Sequence, residues 1–419
     1  MLRSVRIPRP STFHPWVPTT ILRSTASTSA ISSLSVLQQT RAMSHKLCMI
    51  PGPVEFDAAV TNAMATPATS HVAPDFIEKF GSALELLRKV FLAPNGQPFI
   101  VAGSGTLTWD MTAANLVEPG EDVLVVNTGV FGDWFGECLG VYGANVTHVR
   151  APFGDRPTLE QIAEALSQKK YKLVTVTHVD TSTGVFADIK SIAKLVKEKS
   201  PETLIALDGV CSVGAEEIRQ EEWGIDVVLT ASQKALGTPP GLAIMVVSQR
   251  ALEVAANRKA GPTTYFGSFK KWLPIMKSYE ARKPSYFATP SVQLILALEV
   301  SLQQLVAQGM DTRFAKHREA SKKVKDALEQ WGLKLVPVNR EVAANTLSAV
   351  YYPETVKGPE LLQKIGSHGV VVAGGLHPQH STKYFRVGHM NVSAVNLENH
   401  HLDKTLAAIE QSLKELGHL

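Results

Sequence analysis

Residues 204–210 read LIALDGV, which is four consecutive apolar residues followed by Asp208 and a glycine. A continuous apolar run, as opposed to an alternating one, is typical of a strand that is buried on both faces of a sheet. A carboxylate directly after such a strand lies at its carboxyl end, which is where open α/β sheets bind ligands. This stretch therefore predicts a central strand and a candidate functional residue.

Six further apolar runs share this character, and polar or glycine-containing segments separate them. The runs occupy residues 99–102, 123–126, 146–149, 173–176, 227–229 and 242–247. Amphipathic stretches with helical spacing lie between several of them, at 158–168 and 188–198. This alternation of strands and helices predicts an α/β fold, in which helices cover both faces of a mainly parallel sheet.

The pattern changes after about residue 290, where longer helices and shorter strands begin. The predicted elements are helices at 291–309 and 312–331, strands near 333–338 and 346–351, a helix at 359–368, a strand ending at Val387 and a helix from about 395. The sequence thus predicts a large domain at 44–305 and a smaller α+β domain at 306–419.

The positive charge of the chain is concentrated in its first residues. The formal net charge is +4, yet no acidic residue precedes Glu55 and five arginines lie within residues 1–43. Without those arginines the charge would be −1, so no nucleic-acid partner is predicted. An acid-free leader rich in arginine and serine is typical of a mitochondrial transit peptide. We expect residues 1–43 to be disordered and to direct the protein to the matrix; an extension without a targeting role is the alternative.

The cytosol and the peroxisome are the alternatives to a location in the mitochondrial matrix. Initiation at Met43 would give a leaderless cytosolic form, and the C-terminal residues 417–419 match a peroxisomal signal poorly. No apolar run reaches the roughly 18–20 residues that span a membrane, so no membrane partner is expected. The three cysteines show neither disulfide nor zinc-site spacing, and no metal is expected.

Three candidate functional groups follow predicted strands. The sequence GSGT at 103–106 opens a helix, and amides at a helix N-terminus bind phosphate. Asp208 could hold a cationic ring nitrogen, and Lys234 could act as a Schiff-base nucleophile. Each alone has an ordinary explanation, namely a glycine-rich turn, a helix cap and a surface lysine. Together they supply what pyridoxal phosphate needs: a phosphate anchor, a carboxylate for the ring nitrogen and an amine for the aldehyde.

The short sequence motifs around these three candidate groups identify a protein family more specifically than the groups do alone. They are PGP at 51–53, GSG at 103–105, NTGVFG at 127–132, TH at 177–178, TSTGV at 181–185, DGV at 208–210, SQKALGTPPG at 232–241 and RVG at 386–388. In this order they resemble the class-V, fold-type-I pyridoxal-phosphate aminotransferases, and most closely the alanine–glyoxylate and serine–pyruvate group. The resemblance covers the chain from about residue 47 and implies a mainly parallel seven-stranded sheet with a smaller α+β C-terminal domain.

The resemblance also implies roles for individual residues. Lys234 would bind the cofactor aldehyde covalently and carry the proton, and Asp208 would pair with the pyridinium nitrogen. Phe131, where some relatives have Trp, would cover the ring, and Thr181 would contact the ring hydroxyl. Arg386 would bind the substrate carboxylate through its guanidinium.

The cofactor phosphate would be held by residues of two subunits. The residues implied for the first subunit are Ser104, Gly105, Thr106 and Gln233. Thr106 stands where some members of the family have His. In the family, a Tyr and a Thr of the neighbouring subunit complete the phosphate site, and Tyr286 and Thr289 match them. The resemblance therefore implies a homodimer.

The implied activity is transfer of an amino group from L-alanine, with L-serine as a further donor, to glyoxylate, giving pyruvate and glycine. Serine–pyruvate or serine–glyoxylate transamination is the first alternative. A cysteine desulfurase-type lyase is disfavoured, because Gln233 stands where such enzymes have His before the lysine and no cysteine lies in a matching loop. A non-catalytic scaffold is disfavoured because the main catalytic positions are filled.

Overall fold

The computed structural model describes residues 45–419, and the predicted transit peptide at 1–43 lies outside the described residues. The strands are β1 (Leu47–Cys48), β2 (Gln97–Ala102), β3 (Asp122–Asn127), β4 (Asn145–Arg150), β5 (Leu173–Thr177), β6 (Val179–Asp180), β7 (Val185–Phe186), β8 (Leu204–Asp208), β9 (Val227–Ala231), β10 (Leu242–Val247), β11 (Leu347–Tyr351), β12 (Val370–Val371), β13 (Ala373–Gly374) and β14 (Tyr384–Gly388).

Helices connect most of these strands. They are α1 (Ala58–Met64), α2 (Pro74–Val90), α3 (Thr106–Leu116), α4 (Val130–Val141), α5 (Leu159–Gln168), α6 (Ile189–Lys199), α7 (Gln220–Trp223), α8 (Gln249–Ala256), α9 (Phe269–Glu280), α10 (Val292–Gln308), α11 (Met310–Gln330), α12 (Gly358–Ser367), α13 (Val392–Val395) and α14 (His401–Glu415). Short 3₁₀ turns occupy Arg340–Val342 and Leu397–Asn399.

The central sheet has seven strands in the order β2-β10-β9-β8-β5-β3-β4. Strand β10 is antiparallel to both of its neighbours, and the other pairs are parallel. Every residue of β5, β8 and β9 is buried, which explains why their sequences do not alternate. All seven apolar runs form strands of this sheet, so the prediction of a mainly parallel α/β fold is confirmed.

Local sequence sets the ends of the connecting helices. At α5, Thr158 and Gln161 form a capping box, in which the Thr158 hydroxyl accepts from the Gln161 amide at 3.3 Å and the Gln161 side chain accepts from the Thr158 amide at 2.9 Å. At α6, the Asp188 carboxylate accepts from the Ser191 amide at 3.2 Å. Such caps satisfy amides that have no partner inside the helix.

The C-terminal part is built on a three-stranded antiparallel sheet in the order β11-β14-β13. Strand β12 of this part pairs with β1 from the start of the described chain. The largest apolar cluster spans residues 76–314, and a second cluster joins Met49 to residues 320–413. The α+β character after residue 310 follows from this order, while the domain boundary near residue 305 stays a prediction.

The predicted strand near 333–338 is wrong. This segment runs beside β11 but makes a single bridge, between Leu335 and Val350. The amide of Val336 donates to Ala349 at 2.9 Å, so the next amide that would face β11 is that of Val338, and this amide donates instead to Gly154 at 2.9 Å. The pairing that the apolar residues alone would favour therefore ends where Val338 bonds to Gly154 and not to β11.

Candidate active site

The candidate site forms where β2, β8 and β9 end at the same edge of the sheet. The segments that follow these strands are in close contact. A Cβ atom on Gly105 would lie 3.0 Å from the Cβ of Ala231 and 3.3 Å from a methyl of Val210. Glycine at position 105 therefore lets the start of α3 approach the ends of β8 and β9.

The N-terminus of α3 presents unpaired backbone amides. The carbonyls of Ser104 and Gly105 accept from the amides of Leu107 and Thr108 at 3.0 and 2.9 Å. Within residues 45–419, the amides of Ser104, Gly105 and Thr106 donate to no acceptor. A helix N-terminus with free amides also carries a positive partial charge, so this turn can bind an anion such as a phosphate.

Asp208 is buried at the end of β8, and both of its carboxylate oxygens accept hydrogen bonds. Oδ1 accepts from the Val210 amide and Oδ2 from the Trp109 indole, each at 2.9 Å. Burial raises the pKa of Asp208 to about 6, and nearby Asp180 adds to the increase, whereas the two hydrogen bonds and Lys234 oppose it. The carboxylate is therefore ionised at neutral pH and can hold a cation.

Lys234 lies in the turn after β9 and is only 9% exposed. Its Nζ donates to the carbonyl oxygen of Pro51, and it forms no ion pair within residues 45–419. Burial lowers the pKa of Lys234 and the Arg386 guanidinium adds to this, while Cys211 and Asp208 oppose it. Such an amine loses its proton more readily than a surface lysine and can act as a nucleophile.

The segment before α1 closes over this lysine. Gly52 has a φ of +96°, and a Cβ atom at this position would collide with the Lys234 side chain. The amide of Val54 donates to the carbonyl of Gln233 at 3.1 Å, which ties the same segment to the turn. Glycine is needed at position 52 both for its backbone conformation and for the room it leaves.

Arg386 lies in the middle of β14 and points at the β6–β7 hairpin. Its Nε donates to Gly374 at 2.8 Å and one Nη donates to Thr181 at 3.1 Å. Among the described residues it has no acidic partner and its other Nη donates no hydrogen bond. Burial lowers the pKa of Arg386. A partly buried guanidinium without a counter-ion is suited to binding a carboxylate ligand.

Phe131 lies in the first turn of α4, and the buried Asp180 holds it there. The Phe131 amide donates to Asp180 at 3.1 Å, and its ring stands edge-on to Trp109 with 6.5 Å between centroids. Gly129 is required for this approach, because a Cβ there would lie 2.5 Å from the Asp180 carboxyl carbon. The Asp180 carboxylate also accepts from the Ser182 amide at 2.9 Å, so it ties the first turn of α4 to the hairpin that carries Thr181.

Three predicted site residues, Gln233, Tyr286 and Thr289, make no hydrogen bond to the other predicted site residues around Lys234. Tyr286 is 60% exposed; its hydroxyl lies 3.2 Å from that of Thr289, and its ring lies 5.0 Å from that of His71. The side chain of Gln233 makes no hydrogen bond within residues 45–419. The chain thus brings together Ser104–Thr106, Asp208, Lys234, Thr181, Arg386 and Phe131, and it leaves Tyr286 and Thr289 at the surface.

The family model of the class-V aminotransferases matches residues 56–396. The chain belongs to this family. The aminotransferase is similar to alanine–glyoxylate aminotransferase 1 of Saccharomyces cerevisiae, with 46% identity over 83% of this chain and 92% of the yeast protein. It is 31% identical to serine–glyoxylate aminotransferase of Arabidopsis thaliana, over 88% of this chain and 90% of the plant protein.

A solved structure agrees with this assignment. The crystal structure of alanine–glyoxylate aminotransferase from Nostoc sp. matches with a TM-score of 0.81 and 29% identity, covering 88% of this chain and 95% of that one. The family and the fold type that the sequence motifs implied are therefore confirmed. No helix within residues 45–419 combines the length and apolarity needed to cross a membrane, and the same residues hold no cluster of three metal-binding side chains.

Two residues of the aminotransferase site were missed by sequence reasoning. Trp109 lies on α3 among apolar residues and resembles an ordinary core position until its contact with Asp208 is known. Asp180 directly precedes TSTGV, and an acidic residue between a strand and this motif was a usable signal. The carbonyl of Pro51, which accepts from Lys234, carries no sequence signal because any residue has a carbonyl.

Proposed function

We propose that this aminotransferase binds pyridoxal 5′-phosphate and transfers the amino group of L-alanine, and of L-serine as a further donor, to glyoxylate. The products are the corresponding 2-oxo acid and glycine. The observation that carries the proposal is the buried Lys234 amine, which feels the charge of Asp208 and lies at the same edge of the sheet as the free amides of α3. The relatives named for alanine–glyoxylate and serine–glyoxylate transamination support the choice of substrates.

The residues present fit this cofactor. Three amides at 104–106 have no acceptor within the described chain, and Gly105 lets this turn pack closely against Ala231 and Val210. Asp208 offers a negative charge and Lys234 an amine with a lowered pKa. When bound, pyridoxal phosphate supplies an electron sink for the charge that develops at the substrate α-carbon.

Three side chains of the protein would bind the substrate, transfer the proton and hold the ring nitrogen. The free Nη of Arg386 would hold the substrate carboxylate and so orient the α-carbon. Nζ of Lys234, once displaced by the donor's amino group, would remove the α-proton and hold it for return. Asp208 would keep its negative charge next to the ring nitrogen. Proton transfer by a positioned amine contributes about 10²–10⁴-fold to the rate.

The donor is tested by a comparison of rates. Purified enzyme would be assayed with alanine and with serine, each against glyoxylate and pyruvate. We expect glyoxylate to be the better acceptor and alanine the better donor. Faster turnover of serine would favour the serine–glyoxylate or serine–pyruvate alternative, and sulfide release from cysteine would favour a lyase. Absence of transamination with all four pairs would refute the proposed function.

Replacing Arg386 by alanine should weaken use of the amino donor. Loss of two charge-assisted hydrogen bonds to a carboxylate predicts a fall in kcat/KM for alanine of about 10²–10³-fold. Arg386→Lys keeps the positive charge but lacks the planar guanidinium, so it should recover part of the lost kcat/KM. Arg219→Ala, which removes an arginine that is bonded to two acidic residues outside the site, is the matched control. Unchanged kinetics in Arg386→Ala would exclude it as the carboxylate clamp.

We propose that the active form is a homodimer in which Tyr286 and Thr289 complete the partner's phosphate site. Their hydroxyls lie together on an exposed segment before α10. In an isologous dimer, the segment of each subunit can reach the site of the other.

A complementation experiment tests this shared site. Tyr286→Ala and Lys234→Ala subunits are each expected to be nearly inactive alone. Mixed dimers would hold one intact site, so random mixing should restore roughly a quarter of wild-type activity. A mixture that stays inactive, although mass spectrometry shows mixed dimers, would place Tyr286 in its own subunit's site. Full activity of Tyr286→Ala alone would place it outside any site.

We propose the mitochondrial matrix as the location, on the strength of the acid-free, arginine-rich leader at 1–43. A fluorescent protein fused after residue 43 should enter the matrix. Replacing the five leader arginines by glutamine should leave it in the cytosol. Cytosolic fluorescence of the unmodified fusion would contradict the proposal.

A further inference from the structure

Trp109 contacts two groups of the proposed site at once. It lies on α3 and is 5% exposed. Its indole N–H donates to Oδ2 of Asp208 at 2.9 Å. Its ring stacks on Phe135 with 5.3 Å between centroids and an interplanar angle of 11°, and it meets Phe131 edge-on at 6.5 Å and 68°. These contacts connect the end of β8 to the first turns of α4.

We propose that Trp109 is a positioning residue, which fixes the orientation and the ionised state of the Asp208 carboxylate for the ring nitrogen of the cofactor. This inference rests on the proposed function, because it assigns Trp109 a part in holding pyridoxal phosphate. Within residues 45–419, Trp109 is the only side chain that donates to Asp208; the other donor is the backbone amide of Val210.

The charges around Asp208 make this donor important. Lys234 is the cation that faces the carboxylate, and Asp180 is a like charge on the neighbouring hairpin. Neither of them hydrogen-bonds to Asp208. A buried carboxylate that loses one of two donors is left with an unsatisfied oxygen, and its ionised form then becomes less favourable. Trp109 therefore opposes the effects of burial and of Asp180.

The indole cannot easily turn away from this position. Phe135 is 1% exposed and lies on α4, so the stacked pair fixes the plane of the indole. The edge-on contact with Phe131 places the proposed ring cover against the same indole. One side chain thus sets the relative position of the carboxylate and of the aromatic residue that are proposed to contact the cofactor ring.

The inference is tested by Trp109→Phe, which keeps a ring and removes the donor. Affinity of the apoenzyme for pyridoxal 5′-phosphate would be measured from pH 5.5 to 8.5. In wild type, affinity should rise with a midpoint near pH 6 as Asp208 ionises. In the variant we expect the midpoint to rise by about one pH unit, which means about fivefold weaker binding at pH 6 and near-equal binding at pH 8.5.

Trp331→Phe is the matched control, because Trp331 packs against the second apolar cluster and its indole donates no hydrogen bond within the described residues. It should leave the midpoint unchanged. Trp109→His, which restores an N–H donor, should bring the midpoint back toward wild type. If Trp109→Phe weakens the affinity for pyridoxal 5′-phosphate equally at every pH and leaves the midpoint unchanged, Trp109 only fills space. That result would overturn the inference.

Borohydride labelling and the pH midpoint of cofactor binding distinguish failure of this inference from failure of the proposed function. If borohydride reduction labels Lys234 in wild type and variant but the midpoint does not move, only the Trp109 assignment fails. If wild type itself binds no pyridoxal phosphate at Lys234, the proposed function fails.

A measurement on wild type covers the case in which Trp109→Phe does not fold. The sequence has six tryptophans, and the indole N–H signals of the apoenzyme can be followed by NMR across the same pH range. The Trp109 signal, identified through Phe substitutions at the other tryptophans, should titrate with a midpoint near pH 6. A signal that is flat across this range would overturn the inference.

Discussion

Lys234→Ala should lose transamination by at least about 10²–10⁴-fold and should lose the visible absorbance of the bound cofactor. The reason is that Lys234 is a buried amine at this edge of the sheet and is proposed to carry both the covalent attachment and the proton. Borohydride reduction followed by peptide mapping should place the label on Lys234 in wild type and find none in the variant.

Lys325→Met is the matched control for this change. Lys325 is also a buried lysine, and its burial lowers its pKa to about 7. Its Nζ donates to Ala344 at 2.6 Å, outside the site. The control should keep the label on Lys234. A label found on Lys325 or on any other side chain in wild type would refute the assignment of the nucleophile.

Asp208→Asn should reduce kcat by about 10²–10³-fold while the fold is kept. The amide has nearly the same size as the carboxylate but no charge, so the ring nitrogen would lose its counter-ion. A charge-assisted contact of this kind in a buried site contributes about 3–4 kcal/mol. The measurement is kcat with alanine and glyoxylate at pH 8, where wild-type Asp208 is ionised. Full activity of the variant would exclude Asp208 from the reaction.

The same variant separates activity from stability. Burial raises the pKa of Asp208 from 3.8 to about 6, so between these pH values the folded apoenzyme holds a proton that the unfolded chain releases. The free energy of unfolding of wild type should therefore fall as pH rises through this window, by up to about 3 kcal/mol. Asp208→Asn should lack this contribution. An identical pH dependence in the variant would show that other groups cause it.

The strands of the central sheet were predictable because they are buried on both faces, which leaves a continuous apolar run in the sequence. Asp208 and Lys234 were predictable for the same reason, since each follows such a run and parallel strands end at one edge. Trp109 and Asp180 were not predicted, because their importance depends on partners that are 99 and 49 residues away along the chain. At 333–338 the apolar residues suggested a strand, but the Val338 amide donates to Gly154 and not to β11.

Arg386 shows a different limit of sequence reasoning. The family resemblance implied a functional role for this arginine, but a surface ion pair would have left the same sequence. Only the structure shows that its guanidinium is partly buried and has no acidic partner within residues 45–419. That property depends on the packing of β14 against the β6–β7 hairpin, which no local pattern encodes.

Strand β1 limits how much of the N-terminus could be removed without damage to the fold. Leu47 and Cys48 pair with Val370 and Val371, and three residues further on the carbonyl of Pro51 accepts from Lys234. A protease that trimmed the chain beyond residue 46 would unpair β12 and then uncover the reactive amine. If the proposed leader is removed by a peptidase, the cut must therefore fall before Leu47, and we expect trimming past that point to inactivate the enzyme.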